Sequence, residues 1–182
     1  MTDKTGLSLK IKVSDLDRET GPYKLDASVD DMALLVERFG LVALTSLTAT
    51  VSLNNKGPEN GVLVDGQMKA EFVQRCISTL QDVPESLDLP FKLLLVDPAM
   101  AERMDADESY LDPNALEYDA LEGDSIDIGD IVAQTLAISM NPYPRLDAVD
   151  VPALNNPNVT FNEPELGKPN PFSVLGALKD KS

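Results

Sequence analysis

Residues 62 to 76 alternate almost without exception. Val62, Val64, Met68, Ala70, Phe72 and Cys76 share one parity, and Asp65, Gln67, Lys69, Glu71 and Arg75 share the other. Successive side chains of a strand point to opposite faces, so this run predicts a long β-strand with one dry face and one wet face. Such a strand must join a sheet whose apolar side is covered, which rules out an all-helical fold. Just upstream, Leu47, Ala49, Val51 and Leu53 alternate with Thr48, Thr50 and Ser52, predicting a second strand within 41 to 53. The stretch from Asn54 to Gly61 is turn chemistry, longer than a tight hairpin requires. Leu7, Leu9, Ile11 and Val13 predict an opening strand. The run Phe91 to Val96, after Pro84 and Pro90, predicts another, while Glu19 to Pro22 reads as a turn.

Two helices are expected against this sheet. Ser28, with Asp31 three residues on, is close to a capping box; Met32, Leu35, Val36 and Phe39 then share one side, and Gly40 suits a left-handed terminator. In the second, Ile128, Ile131, Val132, Thr135, Leu136 and Ile138 recur at close to helical spacing. Asp124 or Ser125 can cap it, and Asn141-Pro142 stops it, since proline lacks the amide proton and disfavours a helical predecessor. The exit Pro142-Tyr143-Pro144-Arg145 is a stiff turn suited to a hinge. The fold class is therefore α+β: an antiparallel sheet of roughly four to six strands covered by two or three helices, spanning 1–145. Residues 146–182 form a proline-rich arm.

Charge narrows the function. The chain carries a net −16, and residues 97 to 130 hold twelve Asp or Glu against Arg103 alone. That field repels phosphate backbones and attracts cations or basic proteins. Within it, 97–122 is the weakly periodic part, able to hold a short helix and a short strand or to stay mobile until a partner orders it. There is no histidine and only Cys76, so Ser-His-Asp and Cys-His catalysis are excluded, no disulfide can form within the chain, and no zinc or other cofactor is expected. With Asp105 and Asp107 at the first and third positions of a calcium loop, Tyr110 stands where glycine is required and Leu116 where glutamate is required. A magnesium cluster of Asp105, Asp107, Asp124 and Asp127 is the remaining enzymatic alternative, and acids on a solvated loop are the simpler one. No phosphate-cradling glycine loop, signal peptide or membrane-length apolar run is present, which points to a cytoplasmic protein.

Seven of the thirteen prolines fall in residues 141 to 182. The arm ends in Lys168-Pro169-Asn170-Pro171-Phe172-Ser173-Val174-Leu175, a proline-started turn of helix with Phe172, Leu175 and Leu178 along one side. An apolar motif at the end of a polar segment needs a docking surface, on its own domain or on a partner.

Three features in fixed order carry a resemblance: a strand with Val73-Gln74-Arg75-Cys76, the helix ending in Asn141-Pro142-Tyr143-Pro144-Arg145, and the closing Lys168 to Leu175. Together they resemble the YceD family of bacteria and plastids, named for accumulation of large-subunit ribosomal RNA, over about Leu41 to Lys179. Many relatives have C-x-R-C where this chain has Val73-Gln74-Arg75-Cys76, and often a further cysteine after the helix, where Leu146 to Leu154 has none. The resemblance implies a non-enzymatic ribosome-biogenesis factor. Joined to the charge, it suggests capture of a basic ribosomal protein or assembly factor by the acidic region, with ribosomal RNA contacted indirectly. The alternatives are direct RNA binding by Lys10, Lys12, Lys69, Arg75 and Lys92 on one sheet face, or partner binding unrelated to ribosomes. Candidate partner or arm-docking residues are Arg75, Cys76, Tyr143, Arg145, Pro169, Asn170, Pro171, Phe172 and Leu175.

Overall fold

The alternating segments pair as their pattern demands. In a computed structural model that describes residues 7–16, 20–57, 59–106 and 116–146, the elements in chain order are β1 (Lys10–Lys12), β2 (Thr20–Asp26), α1 (Val29–Phe39), β3 (Ala43–Asn55), β4 (Val62–Arg75), β5 (Asp82–Val96), α2 (Pro98–Ala106), β6 (Tyr118–Ala120), β7 (Ser125–Asp127) and α3 (Ile128–Ser139). Five strands form one sheet in the order β2-β3-β4-β5-β6, antiparallel except for the short parallel pair β5–β6. Strands β1 and β7 make a separate antiparallel ribbon. The class is α+β, and the described residues belong to one unit ending at Leu146.

One face of the sheet is dry. Leu47, Val51 and Leu53 of β3 and Val64, Met68 and Phe72 of β4 are buried in a single cluster with Leu35 of α1 and Ile128, Val132 and Leu136 of α3. Both helices therefore cover the same face, and the hydrophobic effect acts across one continuous interior. Helix α1 starts as its sequence predicts: the Ser28 hydroxyl accepts from the Asp31 amide at 3.2 Å, and the Asp31 carboxylate accepts from the Ser28 amide at 3.1 Å. Gly40 closes it in the left-handed region, at φ 64°. Replacing Ser28 by alanine is expected to cost about 1 kcal/mol, read from urea denaturation, because the Asp31 amide at the helix end loses its acceptor.

Several boundaries differ from the sequence expectation. Thr20 to Pro22 is strand rather than turn: β2 pairs Thr20 with Leu53 and Tyr23 with Val51, and the irregularity between them absorbs the Gly21-Pro22 pair. The third long strand begins at Asp82 rather than after Pro90. Proline is tolerated there because β5 is an edge strand along most of its length. Leu94 donates outward to the Glu117 carbonyl at 2.9 Å, and Pro84 and Pro90 share its parity, so their missing donors face the free edge. The cap of α3 is Asp127 rather than Asp124 or Ser125, because Ser125 to Asp127 are held in β7 opposite β1. Ile138 is 73% exposed, lying beyond the buried arc of α3 centred on Val132 and Leu136. The opening strand is reduced to Lys10–Lys12 and ends in a 3-10 turn at Val13–Asp15.

Candidate functional site

The sequence-predicted residues that the structure describes converge at one end of the β4–β5 hairpin. Arg75 is the last residue of β4, and Cys76 to Gln81 form the turn into β5. The turn is closed by the Cys76 amide donating to the Gln81 carbonyl at 2.8 Å and the Leu80 amide donating to the Cys76 carbonyl at 2.9 Å. The Arg75 guanidinium reaches the Leu80 carbonyl at 3.4 Å. Beyond α3, the Asn141 side chain accepts from the Tyr143 amide at 2.9 Å, shaping the Pro-Tyr-Pro turn. The two segments meet where the Ile77 amide donates to the Pro144 carbonyl at 3.0 Å. Arg75 and Cys76 are thus brought beside Tyr143 and Arg145. Pro169, Asn170, Pro171, Phe172 and Leu175 lie outside the described residues.

The apolar parity of Cys76 holds, since its side chain is fully covered. Its sulfur is nonetheless in polar company, 3.3 Å from the Ser78 hydroxyl. Hydrogen bonds from the Ser78 hydroxyl, then the Thr79 hydroxyl and the Leu146 and Ser78 amides, hold the thiol well below its ordinary value, at about 6. Burial opposes them and counts least, although no surface of the residue is exposed. The hydrogen bonds outweigh burial and decide the direction. Nearby, burial pushes the Glu85 carboxyl up, opposed by the Asn141 amide. Around the covered sulfur, Ile77, Leu80 and Tyr143 are 46%, 67% and 70% exposed, interspersed with the exposed polar residues Arg75, Ser78, Gln81 and Arg145. Ser78, Thr79 and Glu85 were not singled out by sequence, and Asn141 and Pro144 entered only as parts of the helix terminator and exit turn. The run Cys76-Ile77-Ser78-Thr79 at a strand end carried a usable signal, because hydroxyls two and three residues after a cysteine can turn back on it.

The basic sheet face expected for direct RNA contact does not form. Lys69 and Lys92 do lie on the wet face, but Lys69 pairs with Asp88 at 2.7 Å and Lys92 with Asp65 at 3.1 Å. The Lys69 ammonium, and after it the Gln67 amide, hold the Asp88 carboxyl below its usual range. Lys10 and Lys12 belong to the separate β1–β7 ribbon, and Arg75 stands at the hairpin end. A single cationic surface is therefore missing because the five residues are split between two sheets and partly neutralised.

The acidic segment is different. Helix α2 packs Ala101 and Met104 on Val96, with Met100, Leu94, Tyr118 and Ala120 around them. Tyr118 donates to Asp105 at 2.6 Å, joining β6 to α2. Asp97, Glu102, Asp105, Glu117, Asp119, Glu122 and Asp124 all remain exposed, with Arg103 the lone base among the described residues from 97 to 124. Asp127 is directed inward, its carboxylate accepting from the Leu9, Gly129 and Asp130 amides and from the Ser8 hydroxyl. Among the described residues no group of three potential ligands could hold a metal ion, and no helix is long and apolar enough to cross a membrane.

A family model described as large ribosomal RNA subunit accumulation protein YceD matches residues 64–179. The matched span starts in β4, later than the Leu41 at which the resemblance begins, and takes in the acidic segment, α3 and the closing motif. No curated protein and no solved structure matches the chain.

Proposed function

From the premise that the chain belongs to the YceD family, we propose that it supports accumulation of large-subunit ribosomal RNA by holding a basic ribosomal protein or assembly factor, without catalysis of its own. The observation that carries this reading is the set of seven exposed acids against one base along the described parts of 97 to 124. Those parts are anchored on the end of β5, so the charge stands on a fixed support. Electrostatic complementarity of this kind speeds capture and suppresses the wrong partners, and added salt weakens it. Ribosomal RNA is then reached through the partner, because a field of this sign opposes direct contact with phosphate.

Purified full-length protein, titrated with individual basic large-subunit ribosomal proteins, is expected to bind at least one of them. Affinity should fall about tenfold or more between low and physiological salt, since the contact is charge-driven. Reversing Glu117, Asp119 and Glu122 to lysine should weaken binding by at least about tenfold while leaving the denaturation midpoint nearly unchanged, because all three are exposed. Tight binding of protein-free ribosomal RNA, unaffected by those reversals, would overturn the reading.

A further inference from the structure

Asn60 is the one asparagine of the chain that is followed by glycine. The carbonyl carbon of an asparagine side chain lies within reach of the next residue's amide nitrogen, and glycine, having no Cβ, leaves that approach open. Asn60 is exposed in the β3–β4 turn, so water reaches it. The turn nevertheless engages both reacting groups elsewhere. The Gly61 amide donates to the Gly57 carbonyl at 2.9 Å, and the Asn60 side-chain amide donates to the Lys56 carbonyl at 3.4 Å. The Lys56 amide donates to the Gly61 carbonyl at 2.9 Å, closing the turn from the other side. Gly57 is fixed in its turn, since its own amide donates to the Asn55 side chain at 3.0 Å. Asn55 ends β3, so the whole set of bonds hangs from the sheet.

We propose that Asn60-Gly61 is a self-modification site of the deamidation class, held closed by the folded turn and opened when the turn frays. In the step the Gly61 nitrogen gives up its proton and attacks the Asn60 side-chain carbonyl carbon. A carbon–nitrogen bond forms to Gly61, the bond to the side-chain nitrogen breaks, and that nitrogen leaves as ammonia with the proton that Gly61 lost. Water then opens the cyclic imide at either carbonyl. One opening gives aspartate at position 60; the other gives an isoaspartyl linkage, in which the main chain runs through the side-chain carbons. Neither oxidant nor reductant enters. The bond from Gly61 to Gly57 opposes the step, because the proton that must leave is engaged there and the nitrogen is held by it. The two products differ in what they do to the fold. Gly61 lies against the Leu95 carbonyl and the Val96 side chain, with no room for another carbon. An isoaspartyl linkage lengthens the main chain by one carbon just ahead of that contact and displaces it, whereas aspartate keeps the backbone and adds only a charge beside Glu59. Val96 is also the seat of α2, and its carbonyl takes the Leu121 amide at 2.7 Å, so the isoaspartyl form loosens the support of the acidic segment.

Tryptic mapping by mass spectrometry makes the test direct, because the peptide 57–69 holds Asn60 as its only asparagine. Full-length protein is aged in warm neutral buffer, folded and in urea. The amide-to-acid mass change is expected at Asn60 in both, at least about tenfold faster in urea, where the Gly57 bond is gone. Asn55→Ala, which releases Gly57, should speed the folded reaction about threefold or more, while Asn55→Asp keeps an acceptor and the parent rate. In the aged folded sample, the isoaspartyl fraction should show about tenfold weaker hydrogen-exchange protection of the Leu94 and Leu121 amides, and Asn60→Asp should keep it. No mass change at Asn60 in urea overturns the site. Equal rates in the folded and unfolded chain, or Asn55→Asp reacting as fast as Asn55→Ala, overturns the closure by the turn. Full protection in the isoaspartyl fraction overturns the coupling to the acidic segment.

Discussion

Replacing Gly61 by alanine is expected to destabilise the protein by about 3 to 4 kcal/mol, far more than the same change at Gly57. Gly61 sits at the end of the β3–β4 turn with φ 74°, where a non-glycine residue costs about 1 to 2 kcal/mol on backbone grounds alone. Gly57 shares that burden, at φ 92°, but a Cβ placed on it meets nothing. A Cβ on Gly61 would run into the Leu95 carbonyl oxygen, with Val96 close behind. That obstacle is backbone, and Leu95 is held in the antiparallel register with Val62, so it cannot swing aside as a side-chain tip would. Relief requires the end of β5 to move, and β5 carries the pairing with β6 and the seat of α2 at Val96. Urea denaturation of the two variants beside the parent measures the difference. The melting temperature of the Gly61 variant should fall by roughly 6 to 16 °C for a domain of this size. Equal losses at Gly57 and Gly61 would mean that backbone conformation, and not the close approach, decides the cost. Because the exposed acids lie on and beside α2 and β6, the Gly61 variant should also lose the salt-sensitive partner binding proposed above before global unfolding.

Much of this architecture is legible in local pattern. The parity of β4 places Val62, Val64, Met68, Ala70 and Phe72 in the interior and Asp65, Lys69 and Glu71 outside, as alternation requires. The Ser28 and Asp31 pair and the terminating Gly40 mark both ends of α1, because the groups that satisfy a helix end lie within a few residues of it. Inside the acidic segment, α2 and β6 are the short helix and short strand that its weak periodicity allowed.

What pattern missed depends on partners distant in sequence. Gly21 and Pro22 have turn chemistry, yet β2 keeps them in an edge strand because the irregular pairing with β3 accommodates them. Pro84 and Pro90 look like breaks until the free edge of β5 is known, and that edge exists only because β6 is three residues long. The candidate site divides in the same way. Burial of Cys76 follows from its parity, but the Pro144 carbonyl that takes the Ile77 amide is brought there by the segment after α3, and no local rule relates the two. The basic residues fail as a group for a related reason, since Lys69 and Lys92 are neutralised by Asp88 and Asp65 on neighbouring strands.

The strongest of these long-range dependences is Asp127, and it sets the second large effect. Its Oδ1 accepts from the Leu9 amide at 2.9 Å, the Gly129 amide at 3.0 Å and the Asp130 amide at 3.3 Å, while Oδ2 accepts from the Ser8 hydroxyl at 2.8 Å. One carboxylate therefore caps α3 and pins the segment before β1 to the same spot. The approach is close: the Leu7 carbonyl and Ser8 lie where a Cβ on Gly129 would fall, so the N-terminal segment is laid directly over the first turn of the helix. Asp127→Ala removes every acceptor and leaves the Leu9 and Gly129 amides, both in the contact, without partners. A lost cap contributes about 0.5 to 2 kcal/mol, and unsatisfied donors about 1 to 3 kcal/mol, so a total near 3 to 4 kcal/mol is expected from urea denaturation. Asp127→Asn is the informative contrast. Its Oδ1 can keep all three amide bonds, its amide nitrogen can donate to the Ser8 hydroxyl, and asparagine is itself a preferred cap, so the loss should stay below about 1 kcal/mol. If the carboxylate served instead as a metal ligand, the asparagine variant would lose the function with the charge and the alanine variant would unfold no more readily than it does. Hydrogen exchange at Leu9 separates the two, because only the alanine change should release that amide from protection.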